Sequence, residues 1–258
     1  MDNYLQILGV HDGLLTEGEK SFLDENGYLN LGKVLDQNQV AMIARKVEQL
    51  LEEEGDAAGS ELMDSPRIKH PKEKGADRLA DLVNKGSEFD LFYTTPKVLA
   101  AVSHVLRQNM KLSSLNYRAA VPGDGLQKLH VDWEHRIESG QYKVCNSIWL
   151  LDDFTKENGS TRLVPGTNHS TQLPQEALED PMQPHPDEIL IEAPAGSVII
   201  FNSHAWHGGT KNKTEKPRRA IHSYFCQREQ SQQVDQKRYI KQETRNRLTK
   251  AAQYLLAV

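Results

Sequence analysis

The stretch Leu129-His130-Val131-Asp132-Trp133 follows the turn Pro122-Gly123-Asp124-Gly125 and reads as the start of a β-run. In a strand, residues two positions apart point to the same face, so the imidazole of His130 and the carboxylate of Asp132 lie side by side. Such a pair supplies two ligands to one metal ion. The pair alone is weak evidence, because the two residue types also meet at this spacing by chance in surface strands.

The pattern around this stretch predicts a mainly β fold with flanking helices. Short apolar runs alternate with turn residues, which is typical of a sandwich or jelly roll. The predicted strands are 111–120, 129–133, 143–151, 161–164, 188–192, 197–202 and 218–227. A mostly helical part over about 15–108 precedes this β-core of about 111–228, and one helix over about 234–257 follows it. No linker composition separates the parts, so we expect a single domain over 1–258.

Two helix starts carry strong local signals. Asp36 and Gln39 form a capping-box pattern ahead of an apolar stripe. Thr95 is a suitable N-cap for a second helix, because Pro96 follows it at the first helical position.

Composition limits the classes of partner. The chain has 258 residues, 38% of them hydrophobic, and a net charge of −5, so the basic stripe expected of a nucleic-acid binder is missing. No apolar run is long enough for a membrane span, and the first residues lack a signal-peptide pattern. Cys145 and Cys226 read as buried thiols of a reducing compartment. We therefore expect a cytoplasmic protein that acts on a small molecule, with no nucleic acid, membrane or obligate protein partner.

A third metal ligand has to be chosen among ten histidines. His204 and His207 both follow the apolar run 197–201, and chemistry alone leaves the choice between them open. His169 lies in a turn, and His222 either lines a cavity or is a hydrogen-bonded core residue. Two histidines and one carboxylate, with other positions open, are the ligand set of non-haem Fe(II) oxygenases. Arg218 opens the last predicted strand and is suited to a bidentate contact with a carboxylate.

Several segments together resemble the phytanoyl-CoA dioxygenase family, over roughly residues 15–228. The segments are Gln127-x-x-His130-x-Asp132-Trp133, Trp149-Leu150-Leu151-Asp152-Asp153, Glu157-Asn158-Gly159, Pro165-Gly166-Thr167-Asn168-His169, Gly196–Phe201, His207-Gly208-Gly209, Asn212-Lys213 and Arg218–Ile221. The resemblance implies a double-stranded β-helix core, a jelly-roll and cupin-like form. It also implies a dioxygenase that uses Fe(II), 2-oxoglutarate and O2 and releases succinate and CO2.

The resemblance also assigns residues. It implies that His130, Asp132 and His207 are the catalytic iron ligands, which decides between His204 and His207. It implies that Arg218 binds the distal carboxylate of 2-oxoglutarate, with Arg219 on the opposite face. Gln127 is expected to face the co-substrate or the substrate. Some members carry a small hydroxyl residue two positions after the distal histidine; this chain has Gly209 there, so that role either falls to another residue such as Thr210 or is absent.

The nature of the reaction depends on Asp132. Related halogenases replace this carboxylate with a small residue, so its presence favours an oxygenase that hydroxylates a C–H bond of a secondary metabolite, an amino-acid-like compound or an acyl compound. The same ligand types also serve a zinc-dependent cupin-like enzyme, and a non-catalytic jelly-roll protein that binds a metal or ligand is a further alternative.

Substrate contacts are expected from four residues: Asn146, Trp149, Arg118 and Trp133. Asn146 and Trp149 lie on opposite faces of their strand, so at most one of them lines a cavity. Two loops are candidate lids. The loop over 66–75 is basic, and a solvated loop is the simpler interpretation of its charges. The loop over 168–187 is proline-rich and long for a connector.

Overall fold

The computed structural model describes residues 3–59, 75–107, 109–133 and 135–258. The helices are α1 (Asn3–Ile7), α2 (Glu17–Asn26), α3 (Gln37–Glu54), α4 (Leu91–Thr94), α5 (Pro96–Leu106), α6 (Pro174–Ala177), α7 (Gln236–Tyr239), α8 (Gln242–Arg247) and α9 (Lys250–Leu256). The strands are β1 (Tyr28–Lys33), β2 (Ala76–Leu79), β3 (Met110–Ala120), β4 (Val144–Leu150), β5 (Thr161–Leu163), β6 (Ile189–Leu190), β7 (Ser197–Asn202), β8 (His207–Gly209) and β9 (Arg218–Gln227).

The strands form two antiparallel sheets. The large sheet has the order β1-β7-β4-β9-β3-β2, and the small sheet has the order β6-β5-β8. Ile199 and Phe201 of the large sheet and Leu163 of the small sheet belong to one buried cluster, so the sheets pack face to face. This arrangement is the jelly-roll core with flanking helices, and the fold-class prediction is confirmed.

The other face of the large sheet is covered by helices. Trp149 of β4 packs edge-on against Phe92 of α4, with ring centroids 4.9 Å apart. The apolar stripe of α5, which includes Val98 and Val102, is fully buried, and it forms one apolar cluster with Trp149. Because the helices hold this face rigid, the inner face keeps a fixed geometry for a site.

The predicted helix starts are present. The Gln39 amide nitrogen lies 2.9 Å from Asp36 Oδ1, and the Asp36 amide donates back to Gln39 Oε1, so α3 begins with a capping box. α5 begins with Pro96, as predicted, but Thr95 does not cap it with its side chain. The Thr95 hydroxyl instead donates to Leu91 O at 2.7 Å.

Three element predictions need correction. The helical first part contains β1 and β2, which pair with β7 and β3 at the two edges of the large sheet. The single helix over 234–257 is wrong, because extended backbone at Leu248 and a cap at Thr249 divide the segment into short helices. The predicted strand 129–133 is reduced to one bridge, from His130 to His207.

The two cysteines are free and buried, as predicted. Among the described residues, the helices lack the length and apolar character that a membrane crossing requires.

Candidate metal centre

His130, Asp132 and His207 come together at the mouth of the β-core. The His130 and His207 amides each donate to the other residue's carbonyl, at 2.9 and 3.0 Å, so the two residues lie directly opposite each other. The two rings are 4.5 Å apart. The Asp132 amide donates to Ser203 O at 2.9 Å, which fixes the carboxylate beside both rings. The His130 and Asp132 side chains are therefore brought side by side by the bridge of His130 to His207 and the hydrogen bond of Asp132 to Ser203, and not by a regular strand.

The donor atoms of the three side chains converge. Nδ1 of His130 lies 2.9 Å from Lys128 O, and Nδ1 of His207 lies 2.9 Å from Ala205 O. Each Nδ1 is thus the N–H donor, and each Nε2 keeps its lone pair for a metal. The Nε2 atoms lie 3.5 Å (His207) and 3.9 Å (His130) from Asp132 Oδ1, and ligand atoms of the three residues lie within 4.8 Å of one another.

This spacing fits a metal ion. Ligand atoms placed about 2 Å from a metal lie roughly 3–4 Å from one another. Oδ2 of Asp132 is buried and has no hydrogen-bond partner among the described residues, which is costly for a carboxylate unless a cation satisfies it.

The protonation behaviour of these three side chains also suits the binding of a metal cation. Burial and the neighbouring His207 lower the pKa of His130 to about 4, so its ring is neutral near pH 7. Burial alone would raise the pKa of Asp132, but the charge of His207 and a hydrogen bond from it hold that pKa below its ordinary value. Burial opposes a charge on His207, and the nearby Asp132 outweighs this and raises its pKa. A metal cation would take the place of that proton opposite Asp132.

The structure distinguishes His207 from His204. Nε2 of His204 accepts a hydrogen bond from the Lys143 amide at 3.0 Å, and its ring lies beside Tyr142 and Trp133. Burial lowers the pKa of His204 to about 4. His204 is therefore a hydrogen-bonded core histidine, and His207 is the one that joins His130 and Asp132.

Gln127 lies against the glycine pair of β8. Its Oε1 accepts a hydrogen bond from the Gly209 amide at 2.9 Å. A Cβ on Gly209 would lie 2.6 Å from Gly125 O, and one on Gly208 would lie 2.9 Å from Lys128 O, so these positions require glycine because of close approach. The Thr210 hydroxyl donates to Ser160 O at 2.7 Å, and its role toward the co-substrate stays a prediction.

Arg218 is buried on the inner face of β9. Its Nε donates to Gly159 O at 3.1 Å, and its guanidinium carbon lies 4.3 Å from the centre of the Phe154 ring. Burial and the nearby Arg118 lower the pKa of Arg218 to about 9, so it still carries its charge near pH 7. A buried cation of this kind is a natural partner for a carboxylate. Arg219 faces the other way, as expected, and pairs with Asp152 and Glu48.

The inner face of the large sheet carries further polar residues. Asn146 pairs across strands with Phe201, whose ring lies 4.6 Å from His207, so Asn146 faces the centre. Asn146 Oδ1 and His222 Nε2 are buried without a partner among the described residues. Burial, with Arg118 next, lowers the pKa of His222 to about 3.

The other three predicted substrate contacts are Trp149, Arg118 and Trp133, and the structure excludes one of them. The prediction of Trp149 as a substrate contact is wrong, because its ring faces the helices and its Nε1 donates to Ser147 Oγ at 3.0 Å. Arg118 is on the inner face, opposite Ala220, and Trp133 packs against a small cluster next to Asp132. Both stay predictions as substrate contacts.

Arg162 is a residue that the sequence did not single out. Its side chain is 2% exposed, and its guanidinium donates to Gln127 O at 2.7 Å and to Pro181 O at 3.1 Å. It therefore links the loop over 168–187 to the segment that leads into His130. Nothing in a three-residue strand marks such an arginine as buried, so only the tertiary structure reveals it.

The two candidate lids are the loops over 66–75 and 168–187, and the structure describes the second of them in full. The loop over 168–187 is joined to the centre by the Leu129 amide, which donates to Pro181 O at 2.8 Å. Whether it acts as a lid stays a prediction. Residues 66–74 of the other loop lie outside the described residues.

Comparison with known proteins gives relatives and a structural match. Relatives include the uncharacterized protein Rv1501 of Mycobacterium tuberculosis, 26% identical and covering 81% of this chain and 74% of its own length. They also include dioxygenase trt7 of Aspergillus terreus, 26% identical, covering 82% of this chain and 73% of its own length. Among solved structures, HygX from Streptomyces hygroscopicus with nickel, 2-oxoglutarate and hygromycin B bound is similar, with a TM-score of 0.63, 16% identity and coverage of 84% of this chain and 90% of its own. At that identity the match speaks for the fold.

The family is established by a match to a family model. The model described as Phytanoyl-CoA dioxygenase (PhyH) matches residues 23–220, which is most of the chain and includes the three converging side chains and Arg218. The chain therefore belongs to the phytanoyl-CoA dioxygenase family of iron- and 2-oxoglutarate-dependent oxygenases.

Proposed function

We propose that this protein hydroxylates an unactivated C–H bond of a small molecule, with Fe(II), 2-oxoglutarate and O2 consumed in a reaction that releases succinate and CO2. The observation that carries the proposal is the approach of Nε2 of both His130 and His207 to Asp132 Oδ1, while the second oxygen of that carboxylate is buried without a partner among the described residues. A three-ligand set of this composition leaves positions open for a co-substrate and O2.

The ligand roles follow from the donor geometry. His130 and His207 would hold Fe(II) through Nε2, and Asp132 would hold it through a carboxylate oxygen. The ion, when bound, supplies the activation of O2, and the residues around it orient the reactants and exclude side reactions. The carbonyls that hold each Nδ1 keep both rings in the ligating tautomer.

Arg218 and Gln127 are the proposed co-substrate residues. A dicarboxylate that chelates the ion with one end needs a cation for its other end, and Arg218 is buried on the same inner face. Gln127 is held beside β8 by Gly209 and could contact the co-substrate or the substrate. Thr210 is proposed as a further contact to the co-substrate.

The substrate is proposed to be a small organic molecule. One structural neighbour supports this class: HygX was solved with hygromycin B bound. Asn146, Arg118 and Trp133 are the proposed substrate contacts. We also propose that helices and β-core act as one domain, because one buried cluster runs from Tyr4 to Leu256.

The test is succinate production from 2-oxoglutarate by the Fe(II)-loaded protein. The assay contains ascorbate and is repeated with each member of a broad substrate panel. We expect turnover in the wild type and a loss of at least about 100-fold in Asp132→Ala, because a ligand is removed. Tightly held zinc together with an optical spectrum that 2-oxoglutarate leaves unchanged would contradict the proposal and favour a zinc enzyme. A protein that binds neither metal nor 2-oxoglutarate would favour a non-catalytic role.

A further inference from the structure

A cavity of about 250 Å³ opens beside Asp132. Its walls include Trp133, Val144 of β4, Tyr224 of β9 and residues 231–233, which follow β9. Tyr224 lies six positions after Arg218 on β9, about 20 Å along the strand. The cavity is therefore at the other end of β9 from the proposed co-substrate residue. Of the three proposed metal ligands, the described lining includes Asp132, so a molecule inside the cavity lies on the Asp132 side of the proposed metal centre.

The wall formed by residues 231–233 is fixed to the irregular part of β3. The Gln233 amide donates to Ser113 Oγ at 2.8 Å, and the Val234 amide donates to Ser113 O at 3.0 Å. These bonds hold the chain after β9 against the sheet, so the cavity has a defined shape in the free protein.

The hydrogen bonds of two neighbouring amides decide what this wall offers to a ligand. Gln232 Nε2 donates to Leu112 O at 2.7 Å and to Leu256 O at 3.0 Å, so both of its N–H groups are used and its oxygen remains as an acceptor. Gln233 Oε1 accepts from the Ser114 hydroxyl at 2.6 Å, which leaves the Nε2 group as a donor. One acceptor beside one donor matches hydroxyl groups, which both donate and accept.

The charged side chains that line the cavity also favour an uncharged ligand. Among its described lining residues, Asp132 is the only carboxylate, there is no lysine or arginine, and His135 is the only basic side chain. Apart from the proposed metal ion, whose charge Asp132 partly offsets, a phosphate or carboxylate placed here would meet no lysine or arginine among these side chains. Trp133 and Tyr224 supply aromatic surface on which the apolar face of a ring can pack.

The volume of the cavity limits the size of the group that it can hold. Pockets for drug-sized ligands usually enclose about 300–1,000 Å³. The volume beside Asp132 is smaller and suits a single substituted ring. We propose that this cavity binds the part of the substrate that is oxidised, and that this part is an uncharged, hydroxyl-bearing ring and not an anionic group. The proposal deepens the proposed function and rests on it.

The first experiment compares neutral and anionic probes on the Fe(II)- and 2-oxoglutarate-loaded protein under argon. The panel contains neutral cyclic polyols and glycosides, such as myo-inositol and methyl β-D-glucopyranoside, each with a phosphorylated or carboxylated counterpart. We expect the best neutral probe to bind at least about 10-fold more tightly than its anionic counterpart, and to stimulate succinate release once O2 is admitted.

The outcomes separate this inference from the function on which it rests. If 2-oxoglutarate itself does not bind, the proposed function fails. If 2-oxoglutarate binds, and the anionic probes bind as well as the neutral ones or no neutral probe binds, the substrate class is wrong while the oxygenase assignment stands.

The second experiment changes the wall. Gln233→Glu keeps an acceptor for Ser114 but replaces the donor with a carboxylate oxygen, and Ser231→Trp fills the cavity from an exposed position. We expect each to weaken neutral-probe binding at least about 10-fold and to leave 2-oxoglutarate affinity unchanged. Gln37→Glu, an exposed position at the start of α3, is the control with the same charge change. Unchanged probe binding in both cavity variants would overturn the proposal.

Discussion

Each imidazole of the proposed metal centre is oriented by the backbone just before it. The Nδ1 atoms of His130 and His207 both bond to the carbonyl two residues earlier, at Lys128 and Ala205. Because these acceptors are carbonyls, no second side chain is needed to select the tautomer. The side chain at 128 is therefore free to vary as long as the backbone keeps its path, whereas Ala205 is fully buried in the apolar cluster between the sheets. Among the described residues, no donor helps Oδ2 of the carboxylate in this way, which makes Asp132 the ligand most dependent on the metal.

Arg218→Lys tests whether the proposed co-substrate site needs the planar guanidinium group or only a positive charge. The lysine keeps the positive charge but loses the planar fork that holds a carboxylate with two hydrogen bonds. We expect the KM for 2-oxoglutarate to rise about 10-fold or more, while metal affinity stays within about 2-fold. Steady-state kinetics and a metal titration measure the two quantities.

Arg219→Lys is the matched control for that experiment. Arg219 is the next residue, faces outward and pairs with Asp152, so its replacement should leave the KM for 2-oxoglutarate unchanged. Equal effects of the two substitutions would contradict the role given to Arg218.

Arg162→Met tests the link between the 168–187 loop and the metal-ligand segment. The substitution leaves the carbonyls of Gln127 and Pro181 without their charged donor in a buried place. We expect the free energy of unfolding to fall by about 2–4 kcal/mol, measured by urea denaturation. Arg136→Met removes an exposed pair with Glu176 and should cost less than about 1 kcal/mol. A loss at Arg162 no larger than that control would show that the buried contacts contribute nothing.

At the scale of elements, the short strand β8 depends on two glycines that permit close approach. Both lie within reach of the backbone that precedes His130, and the nearest approach is the 2.6 Å from a Cβ on Gly209 to Gly125 O. A strand of three residues has few hydrogen bonds with which to resist displacement. The position of His207 is therefore determined by how closely these two backbone segments pack.

Gly209→Ala should push the two segments apart. We expect the affinity for Fe(II) to fall about 10-fold or more, because His207 moves away from His130 and Asp132. Gly18→Ala is the comparison: it lies in α2, meets only the Thr16 hydroxyl at 3.9 Å, and should stabilise the helix slightly without changing metal affinity. Isothermal titration with Fe(II) under argon measures the difference, and an unchanged affinity in Gly209→Ala would contradict the packing argument.

What could be predicted from sequence follows the strength of local signals. The apolar run 197–202 and the β-rich run 218–227 predict strands, and both strands are present. β1 was missed because its residues are half exposed and it pairs only with β7, far along the chain. The C-terminal helix was predicted as one piece because the apolar residues at 240 and 248 fit a helical stripe. In the structure, the extended backbone at Leu248 and the cap at Thr249 break that stripe.

The same limit applies to the site. The spacing of His130 and Asp132 could be predicted, since it depends on two adjacent positions. His204 and His207 could not be separated by spacing, because both are buried and their difference lies in partners brought by tertiary structure, the Lys143 amide for one and the His130 backbone for the other. Trp149 was misplaced for a related reason, since parity shows which residues share a face but not which face is covered by helices.

At the scale of the whole molecule, a bound metal would join two parts of the chain that are far apart in sequence. His130 and Asp132 belong to the segment after β3, and His207 belongs to β8. A ligand that binds the native state and not the unfolded chain stabilises the fold by an amount set by its concentration over its dissociation constant. At a 100-fold excess over that constant, the gain is about 2.7 kcal/mol. Metal loading should therefore raise the thermal midpoint, and removal of the metal by a chelator should reverse the change.

Asp132→Asn distinguishes stabilisation through this centre from general effects of added metal. The amide has nearly the same shape as the carboxylate but carries no charge to hold a cation, so the apoprotein should stay folded while the metal-dependent rise in midpoint disappears. Calorimetry of both proteins with Fe(II), with Mg²⁺ as a second cation and after chelation provides the comparison. A rise of equal size in Asp132→Asn would mean that the stabilising ion binds elsewhere, and the centre built from His130, Asp132 and His207 would lose its main physical support.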